Sequence, residues 1–325
     1  MQKKYELTSN FKMVFGKKLF QIKALVDFGE IEAGDLGGWI EKEENMEQYG
    51  NAWVYGNAEV YDDARVYGDA RVCGDARVCG NAEVYGDAWV YDDAEVYGDA
   101  WVYGNARVYG NAEVYGDAWV YDDARVYGDA RVCGNAEVYG DAWVSGDAWV
   151  SGDARVSGDA EVCGNAEVYG DAWVYGNARV YGDAWVSGDA WVSGDARVSG
   201  DARVSGNAEV SGDARVSGDA RVCGDARVCG DASVYGDARV SGDAWVYGDA
   251  DWLLIGRIGS RAAFTTFFKC KDKSIKVACG CFLGTLAEFR AKVKDTHGDS
   301  KHAKMYNLAA DMAELQMGEN DNERA

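Results

Sequence analysis

The chain has 325 residues, no proline, 42 glycines and 13% aromatic residues, and its 33 basic and 55 acidic side chains give a formal net charge of −22. Apolar and aromatic residues are too frequent for a disordered polyelectrolyte, and so acidic a chain is poorly suited to bind nucleic acid directly, because that affinity rests on clustered Lys and Arg and on counterion release. No run of 18 apolar residues offers a membrane span, and Met1-Gln2-Lys3-Lys4 does not lead into a secretory leader; a cytoplasmic protein with no membrane partner is the expectation.

Residues 1–51 are not repetitive. Strand-like stretches at Tyr5–Thr8, at Lys12–Phe15 and, after a Gly16-Lys17 turn, at Lys18–Val26 predict a small hairpin. The segment GEIEAGDLGGWIE then leads toward the repeat, with Gly37-Gly38 expected to turn the chain. A solenoid exposes open strand edges and apolar core at its ends, so this segment is expected to be an N-terminal β cap.

From Ala52 to Asp249 the unit A-x-V-[YSC]-[GD]-[DN] runs through 33 consecutive hexads without insertion or deletion. A unit this short cannot fold alone and must stack on its neighbours. Ala and Val lie two apart and share one face of a strand, so the residue between them faces outward. That residue is Trp in 10 hexads, Arg in 14, Glu in 8 and Ser only at Ser233. Gly in the following tripeptide supplies the positive φ of a corner. Three strands and three corners close an 18-residue coil, and the whole repeat makes about 11 triangular coils at ~4.8 Å per rung. The expected class is an all-β solenoid with a β cap in front and a small α+β domain behind.

The unit A-x-V-Y-G-[DN] resembles the hexapeptide repeat of left-handed parallel β-helix proteins, the trimeric LpxA-like superfamily. The lead-in ALVDFGEIEAGDLGGWIEKEEN (Ala24 to Asn45), followed by QYGNAWVYGNAEV (Gln48 to Val60), is most similar to the YdcK-like hexapeptide-repeat proteins. That resemblance implies the left-handed sense of the coil and carries no settled activity.

Stepping by 18 places the outward residues in three columns. One runs Arg65, Glu83, Trp101, Trp119, Glu137, Arg155, Trp173, Trp191, Glu209, Arg227, Trp245. Stacked Trp pairs and opposite-charge neighbours would each contribute roughly 0.2–1 kcal/mol. Ten Trp on the outside of a coil also form a candidate interaction face, centred on Trp101, Trp119, Trp173, Trp191 and Trp245. The corners end in Asp at 25 positions and Asn at eight, and Asp62, Asp92 and Asp122 replace the corner Gly. Their expected role is to accept backbone hydrogen bonds in Asx-type turns; no cation cage is specified. Six of the nine Cys occupy corners with no Cys 18 residues away, which fits reduced thiols.

After Asp249 the period breaks. Strands are predicted at Asp251–Gly259, Ala262–Cys270 and Ser274–Phe282, with a Lys271-Asp272-Lys273 turn between the last two. Thr285 is a predicted N-cap for a helix with Leu286, Phe289 and Val293 inward and Gly298 as its stop; a second helix covers Ser300–Met317, and 318–325 is expected to be a disordered tail. This segment resembles C-terminal segments of uncharacterised phage and prophage proteins. The repeat contains no His, so the His chemistry of β-helix acyltransferases has no basis there. Cys270, Cys279, Cys281, His297 and His302 could form a metal site, although their C-x8-C-x-C spacing is not that of common zinc sites, and a Cys279 or Cys281 thiol paired with His297 is a weaker alternative. No cofactor is called for. The expectation is a non-enzymatic acidic scaffold with a protein partner, or one that self-associates through the C-terminal domain. A DNA mimic ranks second, because the acidic groups number about one per 1.5 Å of coil axis against one phosphate per ~1.7 Å in B-DNA. An acyltransferase-type enzyme ranks third.

Overall fold

The computed structural model describes residues 2–318. They fall into two compact units, one ending at Gly176 and the other beginning at Asn177.

In the first unit an antiparallel hairpin, Tyr5–Val14 with Lys17–Ala24, continues into the strand Leu36–Ile40. The two stretches expected before the turn are a single strand with a bulge between Leu7 and Phe11, and the turn lies at Phe15-Gly16. Gly37-Gly38 does not turn the chain. Both glycines are buried within the Leu36–Ile40 strand, which runs parallel to the first repeat strands, with Ile40 opposite Val60. A Cβ on Gly37 would lie 2.6 Å from the Val54 carbonyl oxygen and 2.7 Å from the Trp53 ring. The glycines therefore permit close strand approach, a role that leaves no local turn signature.

Each hexad contributes a strand at its outward residue and Val, such as Trp101–Val102. Residues 18 apart pair in parallel register, Val102 opposite Val120 and Val84. The first unit holds seven such strands in each of three sheets, and the second unit four in each. Ala and Val of the hexads are buried throughout, Val144 with no exposed surface. A fully buried Val stabilises by roughly 1.5–3 kcal/mol relative to exposure, against the cost of ordering the chain. At the corners Gly98 has φ 75°, and a Cβ there would meet the Gly116 amide nitrogen at 2.9 Å. Where Asp replaces that Gly the backbone still enters the left-handed region, at 63° for Asp62 and 61° for Asp92. Each then accepts a hydrogen bond from the backbone N–H of the next rung, Gly80 and Gly110 respectively, at 3.3 Å. That bond offsets the strain of a side chain at positive φ.

The N-terminal segment closes the first coil through polar groups. Lys4 Nζ donates to the carbonyls of Tyr49 at 3.1 Å and Ala52 at 3.0 Å, and Tyr5 Oη donates to Met46 O at 2.7 Å. Asn45 Nδ2 donates to the carbonyls of Asp62 and Ala64. These bonds satisfy backbone acceptors that would otherwise face the open end. Trp53 is buried between Tyr5 and Phe28, so it is not on the outer surface with the other repeat tryptophans.

In the second unit the last coil meets a four-stranded antiparallel sheet: Trp252–Ile258, Ala263–Lys269, Ile275–Cys279 and Phe282–Thr285, paired in that order. The third predicted strand splits at Gly280-Cys281, a turn with Gly280 at φ 60°, and yields a fourth strand. Thr266 Oγ1 accepts from Arg239 N at 2.9 Å, Ala244 bridges to Cys270, Lys276 pairs with Asp243, and Trp252 meets the Tyr235 ring edge-on at 5.1 Å. The sheet thus covers the end of the repeat. On its other side lie α1 (Leu286–His297) and α2 (Lys301–Met317), packed around Phe267, Val277, Phe289, Tyr306 and Ala310. Thr285 caps α1, with Glu288 reaching back to the Thr285 N–H at 2.8 Å, and Gly298 ends it. The expected tail lies outside the described residues, apart from Gly318.

Candidate interaction columns

The outward face of the first unit is a set of ladders. Trp101 and Trp119 stack with centroids 5.3 Å apart and planes within 5°. Beside them Tyr67, Tyr85, Tyr103, Tyr121 and Tyr139 form one continuous stack with centroid spacings of 4.7–5.0 Å. Tyr85 meets Trp101 edge-on at 6.2 Å, and Tyr103 meets Trp119 at 6.5 Å. Tyr91, Tyr109 and Tyr127 stack in the same way at a second corner, and Tyr97 with Tyr115 at the third. Each aromatic pair is worth roughly 0.5–1.5 kcal/mol beyond area burial. The Tyr columns are an element that residue-type reasoning missed. Their signal is present in the spelling, since Tyr recurs at +18 from Tyr67 to Tyr139.

A diagonal contact links several corner residues to the outward residue 16 positions later. Tyr67, Tyr97 and Tyr121 donate their phenol O–H to Glu83, Glu113 and Glu137, at 2.7, 3.0 and 3.2 Å. The Trp149 and Trp173 indole N–H groups use the same offset to reach Cys133 Sγ at 3.1 Å and Ser157 Oγ at 3.2 Å. Burial, reinforced by the Glu partner, pushes the Tyr67, Tyr97 and Tyr121 phenols well above their ordinary value.

The predicted interaction residues therefore differ from one another. Trp101 and Trp119 cover each other's faces, and Trp119 is the more exposed. Trp173 is half-buried under Arg155, 5.9 Å from its ring. In the second unit Trp191 is 46% exposed, while Trp245 is half-buried beside Arg227 at 6.0 Å. Trp89, Trp143 and Trp149, on the other two columns, are as open as Trp119. Exposed indoles thus occur on all three faces.

At the corners Asn and Asp pair up the column. Asn81, Asn105, Asn111 and Asn135 each donate Nδ2 to the Asp 18 residues later at 2.7–3.0 Å, as Asn177 and Asn207 do in the second unit. This hydrogen bond is made to a side chain, not within an Asx turn. A groove of about 550 Å³ at the foot of the long Tyr ladder is lined by Glu43, Glu47, Tyr49, Arg65, Tyr67 and Glu83.

The Cys and His residues of the second unit separate into two places. Cys270 is buried beside Asp243 and Lys276, where burial and the Asp243 carboxylate push its thiol up to about 12. Cys279, exposed Cys281 and His297 line a different groove of about 310 Å³ with Arg261, Phe282 and Tyr306. Cys279 Sγ accepts from Thr265 Oγ1 at 3.2 Å, and the His297 and His302 rings are 6.0 Å apart. Among the described residues no three His, Cys, Asp or Glu side chains converge as a metal site. None of the nine Cys is joined in a disulfide. No helix among the described residues is long and apolar enough to cross a membrane.

The sequence model of the YdcK beta solenoid repeat matches at residues 58–74 and 76–92, in overlapping windows from 102 to 146, and again from 172 to 248. No curated protein matches the chain. Register at 18 residues, three parallel sheets and this recurrent match agree, and the hexads between residues 58 and 248 form a YdcK-like beta solenoid repeat.

Proposed function

We propose that the protein is a non-enzymatic interaction scaffold, in which a frame of Val and Ala holds outward columns at one-rung spacing for a protein partner. The observation that carries this reading is the Tyr67 to Tyr139 ladder beside the stacked Trp101 and Trp119. Ring faces within the stack cover one another, so a partner would meet ring edges, indole N–H groups and the interleaved carboxylates. The groove at the ladder's foot, with Glu43, Glu47 and Glu83 around Arg65, favours a partner with basic side chains. Affinity capture with the native protein and with the Trp101→Ser/Trp119→Ser variant tests this. A partner retained by the native chain and lost by a variant that still melts cooperatively is the expected result; an unchanged set of captured proteins would overturn it.

DNA mimicry is a second reading, favoured by the Asp columns at the corners, where carboxylates repeat at rung spacing. It predicts competition with duplex DNA for a basic DNA-handling protein and a steep loss of affinity with salt. Arg at 14 outward positions interrupts the negative surface and places this reading behind the first.

A further inference from the structure

The groove of about 310 Å³ beside Cys281 and His297 has no carboxylate among its described walls; the charged side chains lining it are Arg261 and Lys292. In a chain with 55 acidic side chains against 33 basic ones this is a local inversion of charge. The groove at the foot of the Tyr ladder holds four Glu, and the one beside Cys270 holds Asp231 and Asp251. A third, on the outer side of α1, holds Glu288 and Asp295, and a fourth, at Trp143, holds Asp141, Asp159 and Glu161.

Three elements of the second unit build this groove. The turn after the strand Trp252–Ile258 presents Arg261, which is exposed. Gly280, at φ 60°, turns the chain so that Cys279 and Cys281 line the same groove. On α1, Phe289, Lys292, Val293 and Thr296 follow at the i, i+3, i+4 and i+7 spacing of one helix face, which sets an ammonium group beside an apolar strip. Lys292 meets Asp295 at 3.7 Å, but both side chains are largely exposed, and such a pair holds its cation weakly. The floor is aromatic: Phe289 lies 5.6 Å from Phe282 and meets Tyr306 edge-on at 5.7 Å, and His297 stacks on Tyr306 at 5.6 Å.

Cations at the rim over an aromatic floor are complementary to an anion carried on an apolar body. A planar guanidinium matches a carboxylate through two parallel hydrogen bonds, and a volume near the lower end of ligand sites limits the apolar part to about one ring. Screening beyond ~8 Å at physiological salt leaves the groove's own charges to set its field, in spite of the acidic repeat. We propose that this groove binds a small organic carboxylate, with Arg261 and Lys292 holding the charge and Phe282 and Phe289 receiving the apolar part. This goes beyond the scaffold reading and does not depend on it, because binding is measured with no protein partner present.

Benzoate serves as the probe, with benzamide as its neutral counterpart and inorganic phosphate as an anion without an apolar body, all at matched ionic strength. Cys281 reports occupancy of the groove, since it is the exposed one of the nine Cys; its alkylation by iodoacetamide in the full chain is followed by peptide mass mapping. Benzoate should slow that alkylation with a midpoint of about 1–10 mM, the range expected of so small a ligand. Benzamide and phosphate should each need at least tenfold more. Arg261→Gln should weaken protection by benzoate at least fivefold and leave benzamide unchanged. If that variant does not melt like the native chain, Lys292→Gln, also at an exposed position, should show the same selective loss. Equal protection by benzoate and benzamide, equal protection by phosphate, or no protection up to about 50 mM benzoate would overturn the proposal. Protection by benzoate that survives both substitutions unchanged would overturn it equally.

Discussion

Tyr67 donates its phenol O–H to Glu83 Oε2 across 2.7 Å although the two are 16 residues apart, because one full coil brings the corner of one rung beside the outward strand residue of the next. The bond is made to a carboxylate on a partly exposed face, so its net worth is about 1 kcal/mol. Tyr67→Phe should lower stability by about that amount while keeping the ring stack on Tyr85. A double-mutant cycle with Glu83→Gln should show coupling of at least about 0.5 kcal/mol. Additive effects would mean that the stack alone holds Tyr67.

Alkaline pH should act on the two ends of the acid–base range in opposite directions. Burial beneath the first coil lowers the Lys4 ammonium to about 8. A folded-state value below the unfolded one is a penalty at lower pH, relieved as pH rises from about 8 to the ordinary Lys value, so stability should climb in that window. The stacked phenols work the other way: Tyr115 is pushed up to about 12, and Tyr67, Tyr97 and Tyr121 are also raised. Their contribution is complete below the ordinary Tyr value of about 10 and is lost as pH rises through the folded-state values. Melting temperature against pH, read beside phenolate absorbance, should therefore rise and then fall. Lys4→Met should remove the rise and leave the fall; a fall that begins below pH 9 would contradict the assignment.

How much of this was legible in the sequence follows from which interactions are periodic. The 18-residue register, the inward Ala and Val, and the Thr285 and Gly298 boundaries of α1 could all be read, since each follows from spacing or from a cap residue next to its helix. Gly37-Gly38 could not, because the demand for glycine comes from Ile22, Trp53 and Val54 crowding a strand from outside it. Trp53 carries the same letter as the exposed indoles and is buried only because the cap places Tyr5 and Phe28 against it. The 16-residue diagonal depends on how side chains lean between rungs, which alternation in the unit does not encode. The Cys and His residues share a domain, yet the Gly280-Cys281 turn and the sheet divide them between two places.

Asn105 stands between Asp87 and Asp123 in its corner column and donates to Asp123 Oδ1 at 3.0 Å. Asn105→Asp would remove that donor and join Asp69 and Asp87 to Asp123, Asp141 and Asp159 in an unbroken run of six carboxylates at rung spacing, with two new neighbouring pairs. Each new pair at ~5 Å repels by about 0.8 kcal/mol in bulk water, so a loss of about 1–2 kcal/mol is expected at low ionic strength. Denaturant unfolding in low salt and in about 1 M salt should show that loss shrinking as the Debye length falls. A loss that does not depend on salt would place the cost in the hydrogen bond alone.

The central claim is that the frame is an inward Val and Ala lattice and that the outward columns are supported by it and replaceable upon it. Trp143 and Val144 are neighbours in one strand, yet Trp143 is 39% exposed, touching Arg125 and Tyr127, whereas Val144 is fully buried. Thermal and denaturant unfolding of Trp143→Ser and Val144→Asp, side by side, is the most direct measurement. Trp143→Ser should cost about 1 kcal/mol and keep a single cooperative transition. Val144→Asp, which buries a carboxylate with no partner, should cost on the order of 4 kcal/mol or more, or abolish the transition. Equal losses for the two variants, or a tolerated Asp at position 144, would contradict the account.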